Sequence, residues 1–398
     1  MTRSVKYSDF LKDVLYLSFT CFGGPQAHIA YFQKILVEKR KYLSEGELLE
    51  LNALCQVLPG PTSTQTLSSI GYKLGGPNLA YLTLLIWMLP SVTIMTVAGI
   101  LIGSFESKDV SLSFTRFIQP MAVGLVAFSA YSFGTKTIKT QRAGMLMALA
   151  GVASFFVKTP FVFPMILLTA GCITAFNYKA HPREEKKKFE VRWANFFLWI
   201  GVLVFAAILG SLTKNDPQLL PIRLFENFYR NGSLIFGGGQ VLTPLLYTEF
   251  VQYSPKHYLN TEEFLSGYAF AQSLPGPVFS FSAFIGALSM RDFGLTGEIA
   301  GAVASAFGIF LPGTFLIFFM IRIWDGLKKF RAIRASMEGI LAANAGILSA
   351  VALLLFLPLE QTLLNYIVMI ATFLISIYTK VPSWLIILLG LILGIAIK

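Results

Sequence analysis

Long apolar stretches separated by short polar segments dominate the chain. Residues 77–103, 294–320 and 335–357 are examples. Each exceeds the roughly 20 residues that a helix needs to cross a bilayer. One large soluble core would require amphipathic elements between such stretches, and the sequence lacks them. The pattern therefore predicts an all-α polytopic membrane protein embedded in the lipid bilayer.

Glycine and proline interrupt four apolar segments: 10–36, 48–72, 224–250 and 262–288. Both residues weaken a helix, and a break inside a bilayer is tolerated only where protein or a water-filled cavity surrounds it. We therefore predict a substrate site at these breaks and at the polar residues beside them. Its members are Gly23, Gly24, Pro25, Gln26 and His28 at the first break; Gln56, Pro59, Gly60, Pro61, Thr62 and Ser63 at the second; Gly237, Gly238, Gly239 and Gln240 at the third; and Gln272, Pro275, Gly276 and Pro277 at the fourth.

The residue types at the breaks favour an anion as ligand. A helix that restarts after a break offers free amide groups and a partial positive charge at its N-terminus. Hydroxyl and amide side chains add donors without leaving a fixed charge in the membrane. Other glycines, such as the pair Gly297 and Gly301, are typical of close helix packing. His28 is either a proton carrier or a neutral histidine bonded to the backbone, and the sequence leaves both readings open.

Four sequence motifs occur twice in the same order, which indicates a duplication. FGGPQ (22–26) matches FGGGQ (236–240), and CQVLPGP (55–61) matches AQSLPGP (271–277). YLSEGELLELNA (42–53) also matches YLNTEEFLSGYA (258–269), and LPS (89–91) matches LPG (311–313). We predict an N-terminal membrane repeat (1–178), a basic cytoplasmic linker (179–192), a linking transmembrane helix (193–211) and a C-terminal membrane repeat (212–398). One extra crossing inverts everything after it, so the two repeats would be inverted.

The distribution of charge supports this topology. Charged residues make up only 13% of the chain, and the formal net charge is +11. With the N-terminus in the cytoplasm, 23 of the 32 Lys and Arg residues fall inside and 9 outside, as the positive-inside rule requires. The excess charge then needs no nucleic acid as partner. The assignment requires the four broken segments to fold back as re-entrant hairpins; thirteen full crossings are the alternative.

Soluble-enzyme motifs are missing from the sequence. It contains no GxxxxGK[ST], HExxH or GxSxG motif, and its three cysteines show no metal-ligand spacing. We expect no enzyme activity, no catalytic residues, no metal and no cofactor. An ion gradient or anion exchange would supply the energy for transport. A membrane-embedded enzyme or lipid-handling protein is the rival class, and a passive channel would need a pore ring of charge.

Four stretches resemble the signatures of the chromate ion transporter family: SFTCFGGPQAHIAYF (18–32), QVLPGPTSTQ (56–65), FGGGQVLTPL (236–245) and QSLPGPVFSFSAFIG (272–286). The resemblance spans both halves, as in the long-chain, two-domain members. It implies a secondary transporter that exports chromate across the cytoplasmic membrane, coupled to protons or to anion exchange. Sulfate or another anion is the alternative substrate. The sequence leaves the oligomeric state open, with a homodimer among the alternatives. Gly239 stands where the first repeat has Pro25, so the two halves need not contribute equally.

Overall fold

The computed structural model of the chain describes residues 6–22, 24–106, 116–157, 162–176, 193–235, 239–327, 330–379 and 381–396. These residues form helices and turns, and no β-strand occurs among them. The helices are α1 (Tyr7–Thr20), α2 (Gly24–Phe32), α3 (Glu45–Val57), α4 (Thr62–Glu106), α5 (Ile118–Thr137), α6 (Gln141–Phe156), α7 (Val162–Ala175), α8 (Ala194–Leu212), α9 (Leu220–Leu234), α10 (Gly239–Tyr247), α11 (Thr261–Ser273), α12 (Phe281–Ser289), α13 (Gly294–Leu327), α14 (Arg331–Phe356), α15 (Leu363–Tyr378) and α16 (Ser383–Ala396). The predicted all-α fold is confirmed. The predicted linker 179–192 lies entirely outside the described residues.

The order of these helices recurs along the chain. In each half a helix, a break and a short helix are followed by a π-helical segment, Gln33–Lys39 or Thr248–Gln252. A glycine with positive φ then marks equivalent points: Gly76 (φ 73°, ψ −165°) interrupts α4, and Gly294 (φ 67°, ψ −173°) separates α12 from α13. Among the helices of the described residues, only α8 lacks a counterpart. This recurrence agrees with a duplication, whereas the inverted orientation of the halves stays a prediction.

The chain also divides into two compact units that each draw on both halves. The first contains Met1–Ser104, Val191–Gly239 and Ala271–Arg322; the second contains Phe105–Glu190, Gln240–Phe270 and Ile323–Lys398. This division follows the compact packing of the chain and does not mark where one sequence repeat ends and the next begins. The predicted boundaries of the repeats therefore stay a prediction. The described glycines and prolines of all four breaks belong to the first unit, whereas Gln240 belongs to the second.

The first broken segment folds back on itself. Asp13 on α1 is buried, and its carboxylate accepts hydrogen bonds from Arg40 Nε (3.0 Å) and Nη2 (2.7 Å) and from the Tyr42 hydroxyl (2.7 Å). Phe10 also packs edge-on against Tyr42, with ring centroids 5.6 Å apart. Residues before and after the break are therefore neighbours. The segment 10–36 is a hairpin, as the charge distribution requires.

The second broken segment is also a hairpin. Ser44 and Glu47 form a capping box that begins α3, and Lys73 Nζ lies 2.5 Å from Glu47 Oε1. A full crossing would leave these two ends on opposite sides of the membrane, about 30 Å apart. The hydrogen bond from Lys73 and those from Ser44 lower the pKa of Glu47 to about 2. The pair therefore stays ionised at neutral pH, and its contribution is lost only as the pH falls through that value.

The interruption of α4 at Gly75 and Gly76 divides it into a first part, which is the second arm of this hairpin, and a longer second part. A straight helix of 45 residues would be about 68 Å long, more than twice the hydrocarbon thickness. Residues 62–74 return to the side where α3 began, and the part of α4 after Gly76 is long enough to cross. For 224–250 and 262–288, the hairpin stays a prediction.

Close glycine contacts hold each unit together. In the first unit, a Cβ on Gly301 would overlap the carbonyl oxygen of Gly286, which confirms the packing role predicted for Gly301. In the second unit α14 packs against α6 and α7. A Cβ on Gly346 would overlap the Met147 carbonyl oxygen, and one on Gly339 would overlap that of Ala170.

Four described helical stretches are long and apolar enough to span a membrane: Thr62–Ser104, Ala194–Leu212, Arg291–Ile323 and Ala335–Phe356. On α8 only Ala206 is buried, and large apolar side chains such as Phe197 and Phe205 are exposed. An exposed surface of this kind is stable in lipid and unfavourable in water. The protein is therefore a polytopic membrane protein.

Candidate functional site

The four breaks fall between helices, where proline and glycine end one helix and another begins. They separate α1 from α2, α3 from α4, α9 from α10, and α11 from the 3₁₀ turn Val278–Ser280 that leads into α12. Gly23, Gly237 and Gly238 lie outside the described residues. Gly24, Pro25 and Gln26 lie in α2, and Gly239 and Gln240 begin α10. The remaining predicted site residues are described in full.

Two reciprocal hydrogen bonds join the breaks of one half to those of the other. The Gly60 amide donates to the Ile235 carbonyl (2.7 Å), which immediately precedes the third break. The Gly276 amide donates to the Cys21 carbonyl (2.9 Å), just before the first break. Gly60 and Gly276 are equivalent in the repeat, and so are Cys21 and Ile235. The structure thus brings the predicted breaks together in two pairs, each made from both halves.

Only glycine fits at the centre of each PGP motif. Gly60 has φ 117° and Gly276 has φ 92°, conformations that other residues rarely adopt. A Cβ on Gly60 would lie 3.3 Å from the Cα of Gly313, and one on Gly276 would lie 3.3 Å from Ser91. Gly313 and Ser91 end the repeated LPG and LPS motifs. Each PGP motif therefore packs against the second motif of the opposite half.

The amides that remain available lie at the helix starts after the two PGP motifs and not at the central glycines. Gly60 and Gly276 use their amides to bind carbonyls, so these groups are not free donors. The first amide of α4 that bonds within the helix is that of Gln65, which donates to Pro61 O (2.8 Å). The amides of residues 62–64 therefore lie outside the helical ladder. After the fourth break the Ser280 amide is the first to bond, to Pro277 O (3.0 Å), which leaves those of residues 278 and 279.

His28 is enclosed beside the second break. Its side chain is 1% exposed, and its Nδ1 lies 3.0 Å from Ser63 Oγ. Its ring packs edge-on against Trp87, with centroids 5.4 Å apart, while its Nε2 has no hydrogen-bond partner. His28 and Ser63 are thus brought together as members of one site.

Gln65 and Trp87 belong to this site but were not among its predicted members. Gln65 Nε2 donates to Pro59 O (2.8 Å) and to Gly313 O (3.2 Å), so it links the second break to the opposite half. Trp87 Nε1 donates to Thr64 Oγ1 (3.1 Å). Gln65 has a sequence signal, since it is a polar residue directly after a break. Trp87 has no such sequence signal, because it lies in an apolar stretch, 23 positions after Thr64.

The other described members differ in burial. Pro59, Pro61 and Thr62 are buried at the second break, and Gly276 and Pro277 are buried at the fourth. Pro275 and Gln272 are half-buried, and Gln56 is exposed. The two glutamines that precede the PGP motifs therefore have different surroundings despite their equivalent places in the repeat.

The chain segments directly after the two PGP motifs are enclosed on every side. All residues from 61 to 71 are buried, although they include Thr62, Ser63, Thr64, Gln65, Thr66, Ser68 and Ser69, and all residues from 276 to 288 are buried as well. An unpaired buried hydroxyl costs about 1–3 kcal/mol. These polar groups are uncharged, so the site offers hydrogen bonds without a fixed charge. Such an arrangement suits a ligand that brings its own charge and several acceptor oxygens.

Enclosed polar breaks within a polytopic helical protein are typical of membrane transporters. A family model described as "Chromate transporter" matches residues 8–175 and 222–395. The chain therefore belongs to the chromate transporter family, a family of ion transporters. The resemblance predicted from the four sequence stretches is confirmed.

Named relatives extend over most of the chain. An uncharacterized transporter of Methanocaldococcus jannaschii is 26% identical over 98% of this chain and 92% of its own length. A probable chromate transport protein of Synechococcus elongatus is 27% identical over 91% and 86%. The chromate transport protein of Cupriavidus metallidurans is 26% identical over 84% and 79%. No solved structure matches the chain.

Proposed function

We propose that the protein is a secondary transporter that exports chromate across the cytoplasmic membrane, driven by the proton gradient or by anion exchange. The observation that carries the proposal is the reciprocal pairing of breaks, Gly60 with Ile235 and Gly276 with Cys21. It makes one buried polar region from both halves of the chain. We further propose that the halves are inverted repeats joined by α8, which suits alternating access to a site near the bilayer midplane.

The chemistry of the region fits a tetrahedral oxyanion. Amides outside the helical ladder, at residues 62–64 and 278–279, can donate to the oxygens of the anion, and the positive ends of α4 and α12 favour negative charge. Because the breaks are enclosed, water competes poorly for these donors. Sulfate has the same shape and charge as chromate, so this geometry also supports sulfate as an alternative substrate.

Flux measurements test the proposal. The purified protein is placed in liposomes, and uptake of chromate and of radiolabelled sulfate is followed with and without an imposed pH gradient. We expect saturable chromate movement that sulfate inhibits and the gradient drives. Counter-exchange without a gradient effect would identify an exchanger. Absence of flux for both anions, from folded and inserted protein, would refute the substrate assignment.

The proposed orientation places Lys41 in the cytoplasm and Lys214 outside. Both side chains are exposed. Lys41→Cys and Lys214→Cys, each introduced into a chain without its native cysteines, form a matched pair. We expect a membrane-impermeant maleimide to label Lys214→Cys in intact cells and to label Lys41→Cys only after permeabilisation. The opposite pattern would reverse the topology, and labelling of both in intact cells would argue against the proposed sidedness of the first two hairpins.

We propose that His28 carries the coupling proton. His28 is buried beside Trp87, and histidine is the side chain whose charge changes near neutral pH. Export driven by an inward proton gradient requires the proton to enter as the anion leaves, so proton and anion would occupy the site in turn. We expect His28→Gln, which keeps hydrogen-bonding groups but does not titrate, to flatten the dependence of chromate flux on pH between about 5 and 8. Ser63→Ala removes the ring's partner and is the comparison variant. An unchanged pH profile in His28→Gln would exclude this role.

A further inference from the structure

The two halves differ in how their hydroxyl groups are used after the PGP motif. Thr64 and Thr66 in the first half correspond to Ser280 and Ser282 in the second, 216 positions later. Thr64 Oγ1 accepts a hydrogen bond from Trp87 Nε1 (3.1 Å), and Thr66 Oγ1 donates to Thr62 O (2.8 Å). The hydroxyls of Thr64 and Thr66 therefore already have partners within the protein.

The corresponding serines of the second half have none. Ser280 is 1% exposed and Ser282 is fully buried, and neither Oγ has a hydrogen-bond partner. Buried helical serines elsewhere differ: Ser69 donates to Gln65 O and Ser154 to Ala150 O, whereas Ser68, Ser266 and Ser305 have no hydrogen-bond partner. What distinguishes Ser280 and Ser282 is their position, because both lie in the first turns after one break.

The helix start at the fourth break is likewise left open. No side chain caps the 3₁₀ turn that begins after Pro277, and residues 278 and 279 retain amides outside the ladder. The segment is enclosed on all sides. Two amides and two hydroxyls thus lie within five consecutive residues, 278–282. Each oxygen of a tetrahedral oxyanion can accept such hydrogen bonds.

We infer that the hydroxyls of Ser280 and Ser282 donate hydrogen bonds to the transported oxyanion, so that the second half supplies side-chain ligands that the first half withholds. This inference rests on the proposed transport of an oxyanion. The first half then contributes backbone amides at residues 62–64 and His28, while the hydroxyls of Thr64 and Thr66 stay bound within the protein. The alternative is that both serines are simply small residues that let helices approach closely.

Alanine separates these explanations, because it keeps the small size and removes only the hydroxyl. The experiment compares the wild-type chain with Ser280→Ala, Ser282→Ala and the double variant, and Thr66→Val is the control at the position equivalent to Ser282. Equilibrium binding of chromate and of sulfate is measured on purified full-length protein, and the Michaelis constant for chromate flux is measured in liposomes. Thermal unfolding is followed with and without chromate.

We expect each serine variant to bind chromate at least about tenfold more weakly, with a matching rise in the Michaelis constant. Thermal stability without anion should be unchanged or higher, because an unpaired buried hydroxyl is removed. Thr66→Val should bind chromate within about twofold of wild type. A double variant with wild-type affinity would overturn the inference.

Failure of the proposed function gives a different result. Wild-type protein that binds an oxyanion but does not move chromate would refute chromate transport, and the serines would still be judged by binding. Wild-type protein that binds neither chromate nor sulfate would overturn both proposals.

Discussion

Replacement of Gly60 or Gly276 by alanine should nearly abolish anion flux while the protein still inserts into the membrane. Each residue has a φ that alanine rarely adopts, which costs about 1–2 kcal/mol. The added Cβ would also press on the opposite half, at Gly313 or at Ser91. Displacement of the PGP motif breaks the hydrogen bond that the glycine amide donates to the carbonyl of the opposite half. It also moves the backbone amides at the start of the next helix. We expect flux to fall by about two orders of magnitude, because a displacement of about 1 Å in a group that positions a substrate can lower a rate by that factor.

Two other glycines serve as controls for this effect. Gly76 shares the positive φ (73°), but a Cβ there meets nothing within 4 Å. Gly46 has open space and no positive φ. The change in flux in Gly76→Ala therefore measures the effect of backbone strain without a contact. The change in Gly46→Ala measures the effect of replacing a glycine that has neither strain nor a contact. Flux in Gly60→Ala and Gly276→Ala equal to that in Gly76→Ala would show that contact between the halves has no functional role.

Gly346→Leu should prevent stable folding of the second unit. Gly346 on α14 faces α6, where a Cβ would overlap the Met147 carbonyl oxygen and lie 2.9 Å from the Gly151 amide. Backbone atoms on both sides cannot move as a flexible side chain could. Overpacking of this kind costs about 1–3 kcal/mol or more. We expect a clear loss of folded protein after detergent extraction and a lower melting temperature in what remains.

Gly201→Leu is the matched control, because it makes the same substitution within a helix. Gly201 lies in α8, where a Cβ meets nothing within 4 Å. We expect its melting temperature to stay close to that of wild type. Equal stability of Gly346→Leu and Gly201→Leu would show that α14 and α6 do not pack as closely as described.

The breaks and the first two hairpins could be predicted from the sequence because both depend on residue type. Proline and glycine in an apolar segment interrupt a helix wherever they occur, so the positions of the breaks at Gly60 and Gly276 followed directly. The hairpins followed from charge, since residues near Lys41 had to stay on the N-terminal side. The contacts of Asp13 with Arg40 and of Glu47 with Lys73 agree with that requirement.

The pairing across the halves could not be predicted, because it depends on backbone carbonyls. Cys21 and Ile235 accept hydrogen bonds through main-chain oxygens, and every residue has such an oxygen. Trp87 was missed for a similar reason: its role depends on which helix lies beside Thr64. Gln56 is the opposite case. Its position before the PGP motif led to its prediction as a site residue, but its side chain is exposed.

The reciprocal bonds also agree with the predicted duplication of the chain. In a two-fold symmetric dimer, position i of one subunit contacts position j of the other, and j contacts i in return. Gly60 with Ile235 and Gly276 with Cys21 have this relation within a single chain. We infer that a half-length ancestor would have formed both bonds by pairing two copies, and that fusion would let the copies diverge, as Thr64 and Ser280 differ here.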